Sequence, residues 1–231
     1  MRIYQKGFNY SQDGPGNRLV YHLQGCNFKC KWCSNPESMD FVGESTEYTI
    51  DELVKEATSS KAMFFDGGGV TLTGGEPTMQ FEEVKELLEK LKENGINTAI
   101  ENNGSHPKLS ELPVDFLIMD FKHYDDEKHK FWTGCSNYAV KENIKRICKS
   151  RRQLLIRIPV VNGVNNNPLG FVEFFKEFDC SNVMFEFLQY HEYGKNKWKE
   201  AYEIIDGFVS NDDIKKFKMV FEQNNLKVTE T

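Results

Sequence analysis

The 231-residue sequence predicts an α/β fold in which parallel strands form a partial (β/α)6 barrel with helices outside. Two observations predict it. Strand-like and helix-like segments alternate along the chain, and the strands are near-continuous apolar runs, which is typical of parallel strands buried on both faces. Six such units fall short of the eight in a closed barrel. The chain has no internal repeat, low-complexity tract or Pro/Ser-rich linker, so we expect a single domain over residues 1–231.

The elements follow from hydrophobic periodicity and from their start and stop signals. The first strand is predicted at Leu19–Leu23, and the first helix begins at the capping box Thr49–Glu52. A second helix is predicted from an apolar stripe at helical spacing, and it ends at Gly95. The stripe consists of Val84, Leu87, Leu88 and Leu91; further strands are expected at Val70–Thr73, Thr98–Glu101, Phe116–Asp120, Leu154–Val160 and Val183–Leu188, and further helices at about 138–150, 168–178 and 211–224.

Composition and charge exclude several classes of protein. The net charge is −6, and the longest basic stretch, Lys141–Arg152, fits the solvated face of a helix. Because phosphate binding needs a concentrated basic surface, we expect no nucleic-acid partner. No apolar run approaches the ~20 residues of a membrane span, and the N-terminus lacks a signal-peptide pattern. We therefore expect a cytoplasmic protein without a membrane partner, and a monomer.

Unusual polar residues follow the predicted strands at the ends where chemistry gathers in parallel α/β folds. Each of the six strands leads into or carries at least one of them. In strand order they are Cys26; Gly74, Gly75 and Glu76; Glu101; Asp120 and Lys122; Arg157; and His191.

Three of the six cysteines lie within eight residues, with the spacing Cys26-x3-Cys30-x2-Cys33. Three thiolates at this spacing can bind three irons of a [4Fe-4S] cluster and leave the fourth iron open for a small chelating ligand. There are two alternatives: a structural zinc site with His22 as the fourth ligand, or a spacing that arose by chance. The other three cysteines, Cys135, Cys148 and Cys180, are interpreted as buried small hydrophobes or incidental thiols.

The remaining candidates have structural interpretations as well. Gly74-Gly75-Glu76 fits a tight strand-to-helix turn, although a turn needs no glutamate. Arg157 in an apolar strand must pair with an anion, either a carboxylate ligand or a structural partner such as Asp120. A lone histidine such as His191 is more often structural.

The spacing Cys-x3-Cys-x-Trp32-Cys resembles the signature of the radical S-adenosylmethionine (SAM) superfamily. The flanking residues resemble the glycyl radical enzyme activating enzymes, in matching order from about residue 3 to the C-terminus. The segments that carry this resemblance are Asp13–Arg18, Gly25–Ser38, Gly69–Pro77, Asp120–Lys122 and Tyr190–Lys195.

The resemblance implies a role for each matching position. Cys26, Cys30 and Cys33 match the cluster ligands, and Trp32 and Asn35 match cofactor-binding positions beside them. Gly74, Gly75 and Glu76 match the segment that holds the methionyl amine of SAM. Asp120, Lys122, Arg157 and His191 match positions near its carboxylate and ribose, and Asp13 matches a partner-contact position.

Three departures from the family pattern modify these expectations. Ser34 stands where many activating enzymes have histidine. Glu101 stands where the family has an aspartate that forms a monovalent-cation site with Asp120. Whether Glu101 and Asp120 bind such a cation is therefore left open. Only Met39–Tyr48 separates the cysteine motif from the next helix, and it contains no cysteine. We therefore expect one cluster and no ferredoxin-like insert.

The reaction that the resemblance implies is reductive cleavage of SAM to methionine and a 5′-deoxyadenosyl radical. That radical removes hydrogen from a backbone glycine of a partner glycyl radical enzyme, and flavodoxin or ferredoxin supplies the electron. Two alternatives stay open. One is a radical SAM enzyme that modifies a peptide or small metabolite directly, and the other is a zinc- or cluster-binding interaction module without catalysis.

Overall fold

The computed structural model describes residues 1–229, and the chain divides into two compact units. The first unit contains Met1–Asn27, Glu37–Asn102 and Glu111–Leu117. The second contains Phe28–Pro36, Asn103–Ser110 and the chain from Ile118 onward. The cysteine motif is therefore shared: Cys26 belongs to the first unit, and Cys30 and Cys33 belong to the second.

The first unit contains a mixed sheet in the order β3-β1-β2-β4-β5. Strand β1 pairs with β2 and β3 in antiparallel fashion, whereas β2–β4 and β4–β5 are parallel pairs. Strands β2, β4 and β5 are mostly buried apolar residues, as parallel strands covered on both faces require. The strands are β1 (Arg2–Tyr10), β2 (Asn17–Leu23), β3 (Thr46–Glu47), β4 (Gly69–Gly74) and β5 (Thr98–Asn102).

Two helices of the first unit follow from their capping residues and apolar stripes. Helix α1 (Ile50–Ser59) begins at Thr49, whose side chain accepts from the Glu52 backbone N–H while the Glu52 carboxylate accepts from the Thr49 N–H. Helix α2 (Phe81–Glu93) buries its leucine stripe and ends just before Gly95, which has φ +65°. That left-handed conformation is accessible to glycine and stops the helix.

The second unit contains parallel strands in the order β6-β7-β8-β9. Strand β6 begins in the first unit and continues into the second. Strand β7 is almost entirely buried, and β8 alternates buried apolar residues with partly exposed ones. The strands are β6 (Phe116–Asp120), β7 (Leu154–Val160), β8 (Val183–Gln189) and β9 (Lys227–Val228).

The helices of the second unit pack through aromatic side chains. Phe121, Phe175 and Phe221 are buried in one cluster of aromatic rings, in which Phe121 and Phe175 lie edge-to-face with centroids 5.6 Å apart. Asn167, Asp125 and Ser210 accept from backbone N–H groups at the start of three of these helices. The helices are α3 (Asp126–Thr133), α4 (Tyr138–Ser150), α5 (Pro168–Phe175) and α6 (Asn211–Gln223).

The α/β class and the predicted parallel strands are confirmed: all six predicted strands are present, as β2 and β4 to β8. The structure adds elements that the sequence did not indicate, namely the antiparallel β1, the short β3 and β9, and helix α3. The helix predicted at 168–178 ends at Phe175. Within residues 1–229, no helix is long and apolar enough to cross a membrane.

Candidate functional site

In the first unit, the residues that follow β2 are held by backbone hydrogen bonds. The Gly25 N–H donates to the Ser38 carbonyl at 2.8 Å, and the Cys26 N–H donates to the Met39 carbonyl at 3.0 Å. Gly25 has φ +100°, a conformation that L side chains rarely adopt. Cys26 is therefore positioned at the end of its strand by main-chain contacts.

The Gly74-Gly75 pair after β4 packs directly against this same loop. The Gly75 N–H donates to the Leu23 carbonyl and the Glu76 N–H to the Gly25 carbonyl, both at 2.8 Å. A Cβ on Gly74 would lie 2.6 Å from the Leu23 nitrogen, and a Cβ on Gly75 would lie 2.4 Å from the Gly25 oxygen. The two glycines are thus required for the approach of two backbone segments, one of which carries Cys26.

Glu76 is a buried carboxylate, with 1% of its surface exposed. Its Oε1 accepts from the Thr78 N–H at 3.0 Å and from the Thr78 hydroxyl, and so caps the short 3₁₀ helix Pro77–Gln80. Glu76 can take part in the strand-to-helix turn and also bind a ligand, because a carboxylate accepts hydrogen bonds at both oxygens. A buried carboxyl group next to the Cys26 loop suits a cationic ligand group.

Two other predicted residues of the first unit have defined partners. Glu101 Oε2 accepts from the Thr73 hydroxyl at 3.0 Å. Asp13 Oδ2 accepts from Asn9 Nδ2 at 2.5 Å, and the Asp13 carbonyl accepts from the Thr71 hydroxyl at 2.7 Å. Asp13 is thereby held at the turn between β1 and β2.

Arg18, the last residue of the Asp13–Arg18 segment, is completely buried. Its Nε donates to Thr71 Oγ1 at 2.6 Å, and its guanidinium donates to the Pro15 carbonyl at 3.1 Å and the Val70 carbonyl at 2.8 Å. Burial lowers the pKa of Arg18 to about 10, and the charges of Asp115 and Asp13 oppose that shift. Arg18 therefore ties the turn that carries Asp13 to strand β4.

In the second unit, the loop 28–36 is held on one side by the end of helix α3. The Lys29 N–H donates to the Thr133 carbonyl at 2.7 Å, and the Lys31 N–H donates to the Trp132 carbonyl at 3.0 Å. Trp32 is buried, and its ring lies 6.4 Å from the ring of Trp132. The helix that the sequence did not predict thus positions the loop that carries Cys30 and Cys33.

The other side of this loop contacts the chain after β8. The Trp198 indole N–H donates to the Cys33 carbonyl at 3.1 Å, and Lys197 Nζ donates to the Ser34 carbonyl at 3.3 Å and to Asn35 Oδ1 at 3.4 Å. The Asn35 backbone N–H lies 3.3 Å from Cys33 Sγ and donates to it. Asn35 therefore contacts a predicted ligand sulfur through its main chain.

The charges around the second-unit cysteines come from Asp120 and Lys122. Lys122 Nζ lies 2.8 Å from Asp120 Oδ2. Burial works against the charged lysine, but the charges of Asp120 and Cys30 outweigh it and raise the pKa of Lys122. Burial raises the pKa of the Cys30 thiol to about 12, and the Lys122 charge opposes that shift. A cation at this position favours the thiolate form that metal binding requires.

Arg157 has a carboxylate partner that the sequence analysis did not name. Its Nε lies 2.5 Å from Glu186 Oε2, with both side chains largely buried. The parallel register places Asp120 opposite Arg157 on β7, and Arg157 opposite Glu186 on β8. The structural ion pair that we considered with Asp120 is therefore observed with Glu186. The sequence signal was a single acidic residue in the otherwise apolar strand β8.

His191 follows β8 and packs against Tyr193. The two rings are stacked with centroids 4.1 Å apart, and the Tyr193 N–H donates to His191 Nδ1 at 3.4 Å. Burial lowers the pKa of His191. At neutral pH, His191 is therefore a neutral imidazole, suited to hydrogen bonding with a hydroxyl group.

The chemistry of the cysteine side chains suits thiolate ligands of a metal. None of the six cysteines forms a disulfide, the Asn35 N–H donates to Cys33 Sγ, and the charge of Lys122 favours the thiolate form of Cys30. In the part of the chain that the structure describes, no three His, Cys, Asp or Glu side chains are grouped so that they could hold a metal ion. In a cubane cluster, each thiolate binds a different iron.

Sequence comparisons identify the family. The model of the radical SAM superfamily matches residues 20–175. The chain is 33% identical over 233 residues to the pyruvate formate-lyase-activating enzyme of Staphylococcus aureus (strain USA300), covering 93% of this chain and 91% of that protein.

Structure comparisons agree on the fold. A domain of the pyruvate-formate lyase-activating enzyme from Bacteroides vulgatus superposes with a TM-score of 0.58 at 24% identity, covering 71% of this chain and 98% of that one. QueE from Escherichia coli superposes with a TM-score of 0.60 at 13% identity, covering 98% of this chain and 92% of that one. The fold is therefore the partial parallel barrel of radical SAM type that the sequence predicts. The chain belongs to the radical SAM superfamily and, within it, to the glycyl radical enzyme activating enzymes.

Proposed function

We propose that this chain uses SAM to install a radical on a backbone glycine of an enzyme of the pyruvate formate-lyase type. The observation that carries the proposal is the identity to the Staphylococcus aureus activating enzyme, which extends over nearly the whole chain. The cysteine loop supports it, because its three thiols and their surroundings suit a [4Fe-4S] cluster. A radical SAM enzyme that modifies a peptide or small metabolite directly is not better supported.

In this proposal, Cys26, Cys30 and Cys33 hold the cluster, and Lys122 and the Asn35 N–H stabilise the negative charge on their sulfurs. When bound, the cluster supplies the electron that cleaves SAM to methionine and a 5′-deoxyadenosyl radical. Buried Trp32 packs against Trp132 and excludes water from the loop. Because residues 39–48 contain no cysteine, we propose one cluster in a single radical SAM domain.

The SAM-binding roles follow the charges on each residue. Glu76 offers a buried carboxylate to the methionyl ammonium, and Gly74 and Gly75 place its backbone. Arg157, which Glu186 holds in place, offers a guanidinium charge to the SAM carboxylate. Asp120, Lys122 and His191 supply hydrogen-bonding groups for the carboxylate and ribose.

Several further assignments belong to the same proposal. Glu101 and Asp120 supply the carboxylates of a monovalent-cation site. Asp13, oriented by Asn9, contacts the partner enzyme. Flavodoxin or ferredoxin delivers the electron, and the chain acts as a cytoplasmic monomer.

The cluster assignment is tested by replacing Cys30 with Ala and purifying the protein without oxygen. We expect the variant to lose the visible charge-transfer absorption together with bound iron and sulfide. The matched control replaces Cys135, Cys148 and Cys180 together with Ala, and we expect it to keep a full cluster. A complete cluster in the Cys30→Ala variant would contradict the assignment.

The role of Glu76 is tested by Glu76→Gln, measured by anaerobic SAM titration. Loss of one charge-assisted hydrogen bond should weaken SAM binding by about 10- to 150-fold, that is, about 1.5–3 kcal/mol. Thr78→Val is the matched control, because it removes only the hydroxyl that donates to Glu76 Oε1 and keeps the Thr78 N–H that caps the short helix. Equal SAM affinity in Glu76→Gln and the wild-type protein rules out the role.

The reaction is tested by incubating the chain with a pyruvate formate-lyase, SAM and a strong reductant under anaerobic conditions. We expect 5′-deoxyadenosine and a doublet in the electron paramagnetic resonance (EPR) spectrum of the partner. The doublet should collapse when the partner contains α-deuterated glycine, and the deuterium should appear in the 5′-deoxyadenosine. If no glycyl radical forms and deuterium is transferred instead from a deuterated peptide or metabolite, the chain modifies that compound directly.

A further inference from the structure

The segment after β8, residues 190–198, contacts the loop 28–36 at three consecutive residues, which we call the Cys33 turn (Cys33–Asn35). Gly194 lies against it so closely that a Cβ there would be 2.5 Å from the Cys33 oxygen and 2.6 Å from the Ser34 Cα. The indole N–H of Trp198 donates to the Cys33 carbonyl at 3.1 Å. The close contact and the hydrogen bond fix the first peptide group of the turn.

The rest of the Cys33 turn is held by Lys197, which donates to the Ser34 carbonyl at 3.3 Å and to Asn35 Oδ1 at 3.4 Å. These contacts hold the turn in the conformation that directs the Asn35 N–H at Cys33 Sγ, 3.3 Å away. Each of the three residues in the turn therefore has a partner in the segment 190–198, and together they orient one N–H···S contact.

The position of the Trp198 ring is itself determined by its neighbours. Its ring lies edge-to-face with Tyr202 at 5.8 Å, and the Tyr202 hydroxyl lies 2.9 Å from the Tyr190 hydroxyl. Tyr190 is buried and directly follows β8. The indole is thus connected to the parallel sheet on one side and to the Cys33 carbonyl on the other.

Hydrogen bonds to ligand sulfurs are among the factors that set the reduction potential of an iron–sulfur cluster. Reduction adds negative charge, so an N–H directed at a ligand sulfur stabilises the reduced state and raises the potential. We propose that Trp198 is a positioning residue that keeps the Asn35 N–H on Cys33 Sγ and thereby makes the cluster easier to reduce. This inference rests on the proposed role of Cys33 as a cluster ligand.

The test is Trp198→Phe, which removes the N–H and keeps an aromatic ring against Tyr202. The reduction potential of the reconstituted cluster is measured by anaerobic titration, with the reduced cluster followed by EPR. We expect reduction to become about two- to tenfold less favourable, which lowers the potential by about 18–59 mV. The matched control is Trp132→Phe, which removes an indole from the opposite side of the same loop.

Lys197→Met is a second variant at an exposed position, and it keeps the inference testable if Trp198→Phe does not assemble a cluster. We expect Lys197→Met to lower the potential less than Trp198→Phe, because its hydrogen bonds are longer and the charge that it removes is exposed and screened by solvent. A potential equal to wild type in Trp198→Phe would overturn the inference, as would equal shifts in Trp198→Phe and Trp132→Phe. If Trp198→Phe assembles no cluster, a potential equal to wild type in Lys197→Met would overturn it. Retention of a complete cluster in Cys33→Ala would instead contradict the proposed ligands, so the two failures are distinguishable.

Discussion

The two ends of the cysteine motif are held in different ways. In the first unit, Cys26 is held by main-chain hydrogen bonds, and the contacts of its loop with Gly74 and Gly75 need the absence of side chains. In the second unit, the Cys33 turn has a close contact of this kind with Gly194, and in addition it accepts hydrogen bonds from the Trp198 indole and the Lys197 ammonium. The Cys26 end is thus held by the backbone alone, whereas the Cys33 end also depends on side-chain donors.

This difference determines what each end tolerates. The close backbone contacts of Gly74 and Gly75 do not tolerate a side chain. A Cβ at either position would overlap main-chain atoms, and these cannot move without breaking the pairing of the strands. A side-chain donor can be lost while the loop keeps its other contacts, such as those of the Lys29 and Lys31 N–H groups with the end of α3. We therefore expect substitutions at the Cys26 end to affect folding, and those at the Cys33 end to affect the properties of a folded protein.

The largest expected effect is that of Gly74→Ala. Gly74 has φ +107°, and its Cβ would lie 2.6–2.7 Å from the backbone of His22 and Leu23. Backbone strain of about 1–2 kcal/mol and overpacking of about 1–3 kcal/mol should together lower the free energy of unfolding by about 2–5 kcal/mol. Urea denaturation of the wild-type and variant proteins measures this difference.

Gly67→Ala is the matched control for strain without overlap. Gly67 has φ +80°, and a Cβ there would meet no atom within 4 Å. Gly67→Ala should lower the free energy of unfolding only by the backbone strain, which is about 1–2 kcal/mol. Equal losses for Gly67→Ala and Gly74→Ala would show that the close backbone contact at the Cys26 end adds nothing to stability.

The same difference explains what the sequence could predict. Features that depend on the backbone, such as close contacts and the ends of strands, produce short patterns in the sequence. The six parallel strands, the Gly74-Gly75 pair and the three cysteines could therefore be recognised as motifs. The roles of these residues in binding the cluster and SAM stay predictions. The contacts of Trp198 with Cys33, and of Glu186 with Arg157, join residues far apart in the chain. No spacing rule indicates such contacts, because they depend on which strands become neighbours.

Two of the elements that the sequence analysis did not predict, β1 and α3, were missed for a related reason. Strand β1 is rich in polar residues and pairs in antiparallel fashion beside β2, so it lacks the continuous apolar run that identified the other strands. Helix α3 buries only His129 and Thr133, and so has no apolar stripe. Its capping Asp125 and the terminal Gly134, with φ +79°, were the available signals.

A second prediction concerns pH and the Cys33 end of the motif. His129 is buried on α3, and its Nδ1 lies 2.6 Å from the Cys135 carbonyl oxygen. Burial lowers the pKa of His129 to about 4 from the 6.5 of an exposed histidine. The unfolded chain therefore binds a proton between these pH values while the folded protein does not. Acidification from pH 6.5 to pH 4 should cost up to about 3 kcal/mol of stability.

Hydrogen exchange can assign this loss to the correct part of the chain. The protection of the Lys29 and Lys31 amides, which bond to the end of α3, should fall at pH 5 relative to pH 7 after correction for intrinsic rates. The Gly25 and Cys26 amides should change less. His129→Gln should reduce the pH dependence of the Lys29 and Lys31 amides. Equal acid sensitivity in the variant and wild type would assign the effect to other groups, of which buried His123 is the first candidate.

The smallest expected effect is at the ion pair between Lys31 and Glu203, where the Nζ and Oε2 atoms are 2.6 Å apart. The Glu203 side chain is 56% exposed, so water screens the attraction. Glu203→Gln should lower the free energy of unfolding by less than about 1 kcal/mol. Lys31 also lies 4.0 Å from the centre of the Phe131 ring, a contact that the substitution keeps.

This prediction separates the side-chain contacts of the Cys33 end by their chemistry. The Lys31 ion pair acts at the surface, whereas the Trp198 N–H reaches the carbonyl of a proposed ligand residue. Glu203→Gln should therefore leave the cluster potential unchanged, and its small effect on stability should disappear in 1 M salt, where the screening length is about 3 Å. A loss above 2 kcal/mol would mean that water does not screen this ion pair as expected. A potential shifted as in Trp198→Phe would mean that any contact with this loop affects the cluster, and the indole hydrogen bond would then have no distinct role.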